Sequence, residues 1–156
     1  IGVDLSATAC ESFFKENEIS YKVCESDAGA VYSSDQITLF AGDFFKLSIQ
    51  LLGSLDAVYD RAALVALPME LRQLYADHLA TLLTPQTQVF LITTPYNQDE
   101  MNGPPFSVCE HEVKSLFDDL FNIQQLYSKP CTEVPEHLRA KGLLKASEVV
   151  YCLTKK

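Results

Sequence analysis

Three acidic residues stand where predicted strands end, and their positions could serve the binding of a small ligand. Asp4 ends the first apolar segment of the chain, Asp43 follows a second one, and the pair Asp60-Arg61 ends a third. In open α/β sheets the ligand lies at the carboxyl ends of the parallel strands. We therefore expect these side chains to share a ligand-binding edge, although each Asp alone has an alternative role as a turn residue or a helix cap.

Asp4 has the chemistry of a ribose-binding residue. In doubly wound folds an acid at the tip of the second strand accepts hydrogen bonds from a ribose, and two carboxylate oxygens suit a cis-diol. No glycine-rich turn precedes Asp4 in this sequence. The alternative is that Asp4 only supports the start of a helix capped by Ser6.

Asp43, which follows the predicted strand 37–41, has a side chain suited to recognising a purine base. Its carboxylate can accept a hydrogen bond from the exocyclic amine of adenine. Phe44 would supply a backbone amide and an apolar edge for the ring. The alternative is a solvated turn after Gly42.

Arg61 follows a predicted buried strand. A guanidinium is costly to hold at such a place unless it meets an anion or a carboxylate. An anionic ligand and a structural salt bridge to Asp60 or Asp56 both satisfy this requirement.

The segment Gly103-Pro104-Pro105-Phe106 forms a stiff loop with an aromatic face. It can wall a pocket, or it can be a plain rigid connection.

The elements that must position these residues alternate between strand and helix. Predicted strands cover residues 1–4, 37–41, 55–60 and 89–94. Predicted helices run from Ser6 to about Asn17, from Pro68 to Leu83, and onward from a capping box formed by Ser107 and Glu110. Strands near 123–127 and 149–153 have no clear helix between them, which indicates a terminal antiparallel pair. The pattern predicts an α/β fold with helices on both faces of the sheet.

The second predicted helix has apolar positions at helical spacing, which should form its buried face. They are Leu71, Leu74, Tyr75, His78, Leu79, Leu82 and Leu83.

Composition excludes several classes of function. The chain has 156 residues, 47% of them hydrophobic, which fits a single domain over residues 1–156. Its net charge of −9 opposes nucleic-acid binding, which needs a basic face. No apolar run reaches the ~20 residues of a membrane helix. Five scattered cysteines and three isolated histidines indicate neither a disulfide framework nor a metal site, so we expect no metal and a reducing, cytoplasmic setting.

Four stretches give the sequence a more specific likeness: Gly2–Ser6, Asp56–Ala66, Gly103–Phe106 and Tyr151–Lys156. The motifs D-R-x-A-L-V-A and G-P-P-F are the most discriminating. On these motifs, over nearly its whole length, the sequence resembles the thiopurine S-methyltransferase family of S-adenosylmethionine-dependent enzymes. The resemblance implies a Rossmann-like class I methyltransferase fold, a three-layer α/β/α sandwich whose mostly parallel sheet has a reversed last strand.

The resemblance also implies a set of site residues. Those expected to bind the cofactor S-adenosyl-L-methionine are Asp4, Leu5, Gly42, Asp43, Phe44 and Arg61. Those expected to bind the acceptor are Arg61, Pro104, Phe106 and Arg139, with Arg61 also the catalytic residue. The family often has Glu at the position of Asp4, and its second arginine aligns with His137, two residues before Arg139.

The activity implied is methyl transfer to the sulfur of aromatic or heterocyclic thiols, thiopurines among them. Selenium and tellurium compounds are associated with bacterial members. The expected partner is a small-molecule thiol, and a monomeric cytoplasmic enzyme is expected. The family also has an N-terminal segment, a first strand and a glycine-rich turn that this sequence lacks. We therefore expect residues 1–156 to be a carboxyl-terminal portion with the first strand missing.

Two alternatives remain open at this point. A degenerate methyltransferase fold could serve as a non-catalytic binding module. A nicotinamide-dependent dehydrogenase also places an acid after its second strand, although the sequence lacks the usual tyrosine-lysine pair. A hydrolase has no support, because there is no G-x-S-x-G motif and no Cys has a local His partner.

Overall fold

A computed structural model describes all residues, 1–156, as two compact units, Ile1–Gly53 and Ser54–Lys156. The strands are β1 (Gly2–Asp4), β2 (Lys22–Ser26), β3 (Gly29–Ser33), β4 (Thr38–Gly42), β5 (Ala57–Arg61), β6 (Gln88–Thr93), β7 (Phe121–Pro130) and β8 (Ser147–Lys155). The helices are α1 (Ala7–Glu16), α2 (Ile49–Leu52), α3 (Met69–Leu82), α4 (Glu110–Phe117) and α5 (Glu136–Arg139). Each unit contains one four-stranded sheet, in the orders β1-β4-β3-β2 and β5-β6-β8-β7.

The first unit begins with the predicted strand and helix. The Ser6 hydroxyl accepts a 3.1 Å hydrogen bond from the Ala9 amide and caps α1, as the sequence predicts. Cys10 and Phe14 form the buried side of this helix. Strand β1 pairs in parallel with β4, with Asp4 opposite Ala41. This pairing places the carboxyl ends of the two strands at one edge of the sheet.

The sequence did not predict the antiparallel hairpin β2–β3, which extends this sheet. Its outer strand, β2, has mostly exposed side chains, so no apolar run marks it. The turn of the hairpin lies against β4 so closely that a Cβ at Gly42 would collide with the carbonyl oxygen of Ala28. Because β3 runs antiparallel to both neighbours, this sheet is mixed, in contrast to the mostly parallel arrangement expected.

In the second unit, β5 and β6 are parallel, and β8 runs antiparallel to both β6 and β7. The predicted terminal antiparallel pair and reversed last strand are confirmed. Burial along β6 alternates, with Val89, Leu91 and Thr93 buried and the intervening residues less so. The sequence predicts burial on both faces of this strand, whereas one face is buried and the other only partly.

Helix α3 begins after Pro68, as predicted, and most of its expected buried face is confirmed. The predicted positions that are buried are Tyr75, Leu79, Leu82 and Leu83. Leu71 and Leu74, in contrast, are 37% and 56% exposed. Arg72, which the apolar pattern left out, is buried on the same face, three residues before Tyr75.

The start of α4 also differs from the prediction. Ser107 does not cap it, because its hydroxyl donates to the carbonyl oxygen of Tyr96 at 2.7 Å and accepts from the Tyr96 amide at 3.0 Å. The helix begins at Glu110, with Cys109 as the capping residue. Neither this helix nor any other in the structure is long and apolar enough to cross a membrane.

Candidate active site

Two of the predicted acidic residues lie at the same edge of the first sheet. Asp4 is the last residue of β1, and its partner on β4 is Ala41. Asp43 comes two residues after Ala41, directly after β4 ends at Gly42. The parallel pairing thus brings both carboxylates to the carboxyl edge, the part of an α/β sheet at which ligands bind.

The Asp4 carboxylate is exposed and only partly engaged. Its Oδ1 accepts a 2.7 Å hydrogen bond from the Ser6 amide, so the proposed supporting role at the helix start is real. Its second oxygen has no hydrogen-bond partner within the protein and can accept from hydroxyl groups of a ligand. The neighbouring Leu5 side chain is exposed.

Asp43 has a similar arrangement. Its Oδ1 accepts a 2.9 Å hydrogen bond from the Phe45 amide and caps a single turn of 3-10 helix, Phe44–Lys46. The Phe44 ring is half-buried and meets the Phe45 ring edge to face, with 5.6 Å between the ring centroids. The edge therefore offers one free carboxylate oxygen beside an aromatic surface.

These groups fit an adenosine-containing cofactor. The ribose hydroxyls and the exocyclic amine of adenine are hydrogen-bond donors, and the two carboxylates at this edge are acceptors. The close approach of Gly42 to Ala28 fixes the backbone immediately before Asp43.

The third acidic residue, Asp60, has an internal role. It is 3% exposed, and it accepts hydrogen bonds from the Tyr75 hydroxyl at 2.7 Å and from the Leu64 amide at 3.2 Å. Burial raises the pKa of its carboxyl, while these hydrogen bonds act in the opposite direction. Asp60 holds the turn after β5, so its carboxylate is not directed toward a ligand.

Arg61 is the exposed member of the Asp60-Arg61 pair. Its side chain forms no ion pair with Asp60 or Asp56, so the salt-bridge alternative is not realised. The next residue, Ala62, has a φ of 73°, a left-handed conformation that is uncommon for a residue with a side chain. Because Arg61 forms no such ion pair, its guanidinium is available for an anionic ligand at the carboxyl end of β5.

The loop with the G-P-P-F motif is tied to the turn that follows Arg61. The Phe106 amide donates a 2.7 Å hydrogen bond to the carbonyl oxygen of Val65. The Tyr96 hydroxyl donates to the carbonyl oxygen of Pro105 at 2.6 Å. Pro104 is exposed and Phe106 half-buried. The loop is thus an ordered surface next to the segment of the D-R-x-A-L-V-A motif.

Arg139 lies beside a groove of about 670 Å³ in the second unit. Tyr96, Glu100 and Lys145 also line it, whereas His137 does not. One guanidinium nitrogen of Arg139 donates to the carbonyl oxygen of Val134 at 3.3 Å. Between the two residues considered for the family's second arginine, Arg139 is the one placed beside a cavity.

Sequence reasoning missed Arg72. This residue is 3% exposed, and its guanidinium lies 5.5 Å from the centroid of the Phe106 ring. It also pairs with Glu112 on α4. Its helical spacing to Tyr75 and Leu79 places it on the buried face, but a charged side chain is expected at the surface, so the apolar pattern left it out.

Comparison with solved structures shows the class of fold. The chain matches an S-adenosylmethionine-dependent methyltransferase from Anabaena variabilis with a TM-score of 0.66 and 16% identity, covering 99% of this chain and 67% of that one. The predicted class I methyltransferase fold is confirmed.

Sequence comparisons then show the family. The family model described as thiopurine S-methyltransferase matches residues 1–156. Thiopurine S-methyltransferases from Nitrosospira multiformis and Methylococcus capsulatus are each 40% identical over 98% of this chain, which covers 70% and 69% of those proteins. The chain belongs to the thiopurine S-methyltransferase family. The predicted S-adenosylmethionine-dependent thiol methyltransferase activity and its cofactor are thereby confirmed, and nothing favours the binding-module or dehydrogenase alternatives.

Proposed function

We propose that the carboxyl edge of the first sheet holds the nucleoside part of S-adenosylmethionine. Asp4 accepts from the ribose hydroxyls, and Asp43 accepts from the adenine amine. Leu5, Gly42 and Phe44 provide the apolar and backbone surface around them. The observation that supports this assignment is the pairing of Asp4 with Ala41, which brings two half-satisfied carboxylates to one edge.

We propose that Arg61, Pro104, Phe106 and Arg139 serve the thiol acceptor, with Arg61 contacting the cofactor as well. Arg61 is exposed and without an ion-pair partner, and Arg139 lines a groove. Pro104 and Phe106 belong to a loop hydrogen-bonded to the segment after Arg61. A guanidinium and an aromatic side chain together suit an aromatic thiolate, because the cation can pair with the sulfur anion and the aromatic side chain can contact the acceptor ring.

The cofactor supplies a methyl group carried on a positively charged sulfur, which is neutral after the transfer. Arg61 favours the thiolate form of the acceptor and orients its sulfur. Aromatic and heterocyclic thiols are acidic enough that no dedicated general base is required. The remaining contribution of the protein is in-line positioning and exclusion of water, since the opposite charges of the reactants cancel in the transition state.

We also propose that the enzyme is a cytoplasmic monomer acting on small molecules. The five cysteines form no disulfide, which is consistent with a reducing compartment.

A thiol panel tests the proposed acceptor class. The full-length protein is assayed with thiophenol, 6-mercaptopurine and the aliphatic thiol 2-mercaptoethanol at equal concentration. We expect kcat/KM for the two aromatic acceptors to exceed that for the aliphatic one by about a hundredfold, since acidity and ring contact both favour them. Equal kcat/KM values for all three would contradict the proposed acceptor site.

A further inference from the structure

Helix α3 carries a buried cation that the proposed reaction does not use. The Arg72 side chain is 3% exposed, although a charged group is expensive to bury unless it is paired and hydrogen-bonded. All of its contacts lie in the second unit, and together they explain how the charge is kept there.

The first set of contacts reaches the two family motifs. The Arg72 Nε donates a 2.9 Å hydrogen bond to the carbonyl oxygen of Leu67, directly after the D-R-x-A-L-V-A segment. One terminal nitrogen lies 3.5 Å from the carbonyl oxygen of Ser107, directly after the G-P-P-F segment. The guanidinium also lies over the ring of Phe106 itself. One side chain therefore joins the ends of both motifs.

The second contact supplies the compensating charge. Arg72 forms an ion pair with Glu112 of α4, whose side chain is 21% exposed. A partly buried pair of this kind contributes little net stability compared with apolar residues of similar size. The planar guanidinium of Arg72, however, fixes the direction of its N–H groups, which reach acceptors on three different residues. The arrangement is better suited to holding a loop in one position than to stabilising the fold.

Tyr75 provides a parallel contact one turn further along α3. Its hydroxyl holds Asp60, directly before Arg61, at 2.7 Å. Residues three apart lie on the same face of a helix. Tyr75 thus fixes the start of the motif segment that carries Arg61, and Arg72 fixes its end together with the Phe106 loop.

We propose that Arg72 is a positioning residue for the thiol acceptor, acting through the Phe106 loop and the segment that follows Arg61. The inference rests on the proposed acceptor role of Phe106. It predicts that Arg72 affects acceptor binding without affecting the cofactor residues Asp4 and Asp43, which lie in the other unit.

Four variants of the full-length protein test this role. Arg72→Met removes the charge and the donors, whereas Arg72→Lys keeps the charge but cannot bond all the acceptors at once. Glu112→Gln removes the partner's charge. Glu110→Gln is the matched control, because Glu110 lies on the same helix but pairs only with exposed Lys114.

Three measurements are made on each variant. The first is KM for thiophenol, and the second is the Kd for S-adenosylhomocysteine by calorimetry. The third is hydrogen exchange of the Phe106 amide, which reports directly on its bond to Val65. For Arg72→Met we expect acceptor KM and the Phe106 exchange rate each to rise about tenfold or more, with the cofactor Kd changed less than about twofold. Arg72→Lys and Glu112→Gln should give intermediate values, and Glu110→Gln should match the wild type.

Several results would overturn the proposal. One is a folded Arg72→Met protein with wild-type acceptor KM and wild-type Phe106 exchange. If Arg72→Met does not fold, a Glu112→Gln protein that behaves like Glu110→Gln decides against the proposal in the same way. A wild-type protein that methylates no thiol would instead overturn the proposed function on which the inference rests, and the exchange data would show separately whether Arg72 holds the loop.

Discussion

The Tyr75 hydroxyl donates a 2.7 Å hydrogen bond to the buried carboxylate of Asp60, the residue that precedes Arg61. The same carboxylate accepts from the Leu64 amide at 3.2 Å, so it spans the turn in which Ala62 takes its left-handed conformation. Since this turn carries Arg61, the hydrogen bond between Tyr75 and Asp60 links the packing of α3 to the position of the proposed catalytic side chain.

Replacing Tyr75 by Phe removes the hydrogen bond and leaves the ring in place. A buried carboxylate that loses a donor costs about 1–3 kcal/mol, and we expect the free energy of unfolding to fall by that amount in urea titrations. Tyr59→Phe is the matched control, because Tyr59 is 69% exposed on the same strand. An equal loss in both variants would contradict the structural role of the pair.

The raised pKa of Tyr75 makes the stability of the folded protein depend on pH in the alkaline range. Burial, followed by the charge of Asp60 and the hydrogen bond to it, raises the pKa of the Tyr75 hydroxyl. Folded Tyr75 therefore keeps its proton above about pH 10, where unfolded tyrosine loses it. The unfolded state then binds fewer protons, so stability falls as pH rises through this range.

We expect Tyr75→Phe to lack that part of the decline. The urea midpoint is measured between about pH 9 and pH 11 for both proteins, bracketing the ordinary pKa of tyrosine. The wild-type curve should fall more steeply. Curves that run parallel would show that Tyr75 does not titrate differently in the folded state.

Asp4→Asn tests the ribose assignment. The amide oxygen can still accept from the Ser6 amide, but the charge is lost, and hydrogen bonds to charged groups contribute about 1.5–3 kcal/mol. We expect the Kd for S-adenosylhomocysteine to rise about tenfold in calorimetry on the full-length protein. Asp4→Glu, the residue common in the family, should bind nearly as well as the wild type.

Asp35→Asn is the control for this experiment. Asp35 is exposed and precedes β4, so it lies at the opposite, amino-terminal side of that strand. Its replacement should leave cofactor affinity unchanged. A comparable loss in both variants would point to a general effect of charge, contrary to the assignment of Asp4.

Arg61→Ala separates chemistry from cofactor binding. Under the proposed role of Arg61 in favouring and orienting the thiolate, we expect kcat with thiophenol to fall about a hundredfold, while the Kd for S-adenosylhomocysteine changes much less. Arg61→Lys, which keeps a charge without the planar fork, should lie between. Equal losses of turnover and of cofactor affinity would contradict the acceptor role of Arg61.

Local signals in the sequence predicted much of the fold. Ser6 caps α1 as expected, because a capping residue acts within three residues of its partner. The antiparallel pairing of β7 with β8 followed from two apolar segments with no clear helix predicted between them, although the structure has the four-residue helix α5 there. The hairpin β2–β3 escaped prediction because its exposed edge strand has no apolar pattern.

The positions of the candidate site residues were predictable only where those residues end strands. Asp4, Asp43 and Arg61 stand at strand ends in both sequence and structure. The internal role of Asp60 depends on Tyr75, fifteen residues away, and that of Arg72 depends on Glu112, forty residues away. Such partners are set by tertiary packing. Helical periodicity correctly placed Tyr75 on the buried face of α3, but it also assigned the exposed Leu71 and Leu74 to that face.

The most direct test is to follow the methyl group. The full-length protein is incubated with S-adenosylmethionine labelled in its methyl group and with thiophenol or 6-mercaptopurine, and the products are identified by mass spectrometry. We expect the label on the sulfur of the thiol, with formation strongly reduced in Arg61→Ala. Tight binding of S-adenosylhomocysteine without labelled product from any thiol would contradict the enzymatic function and indicate a binding module instead.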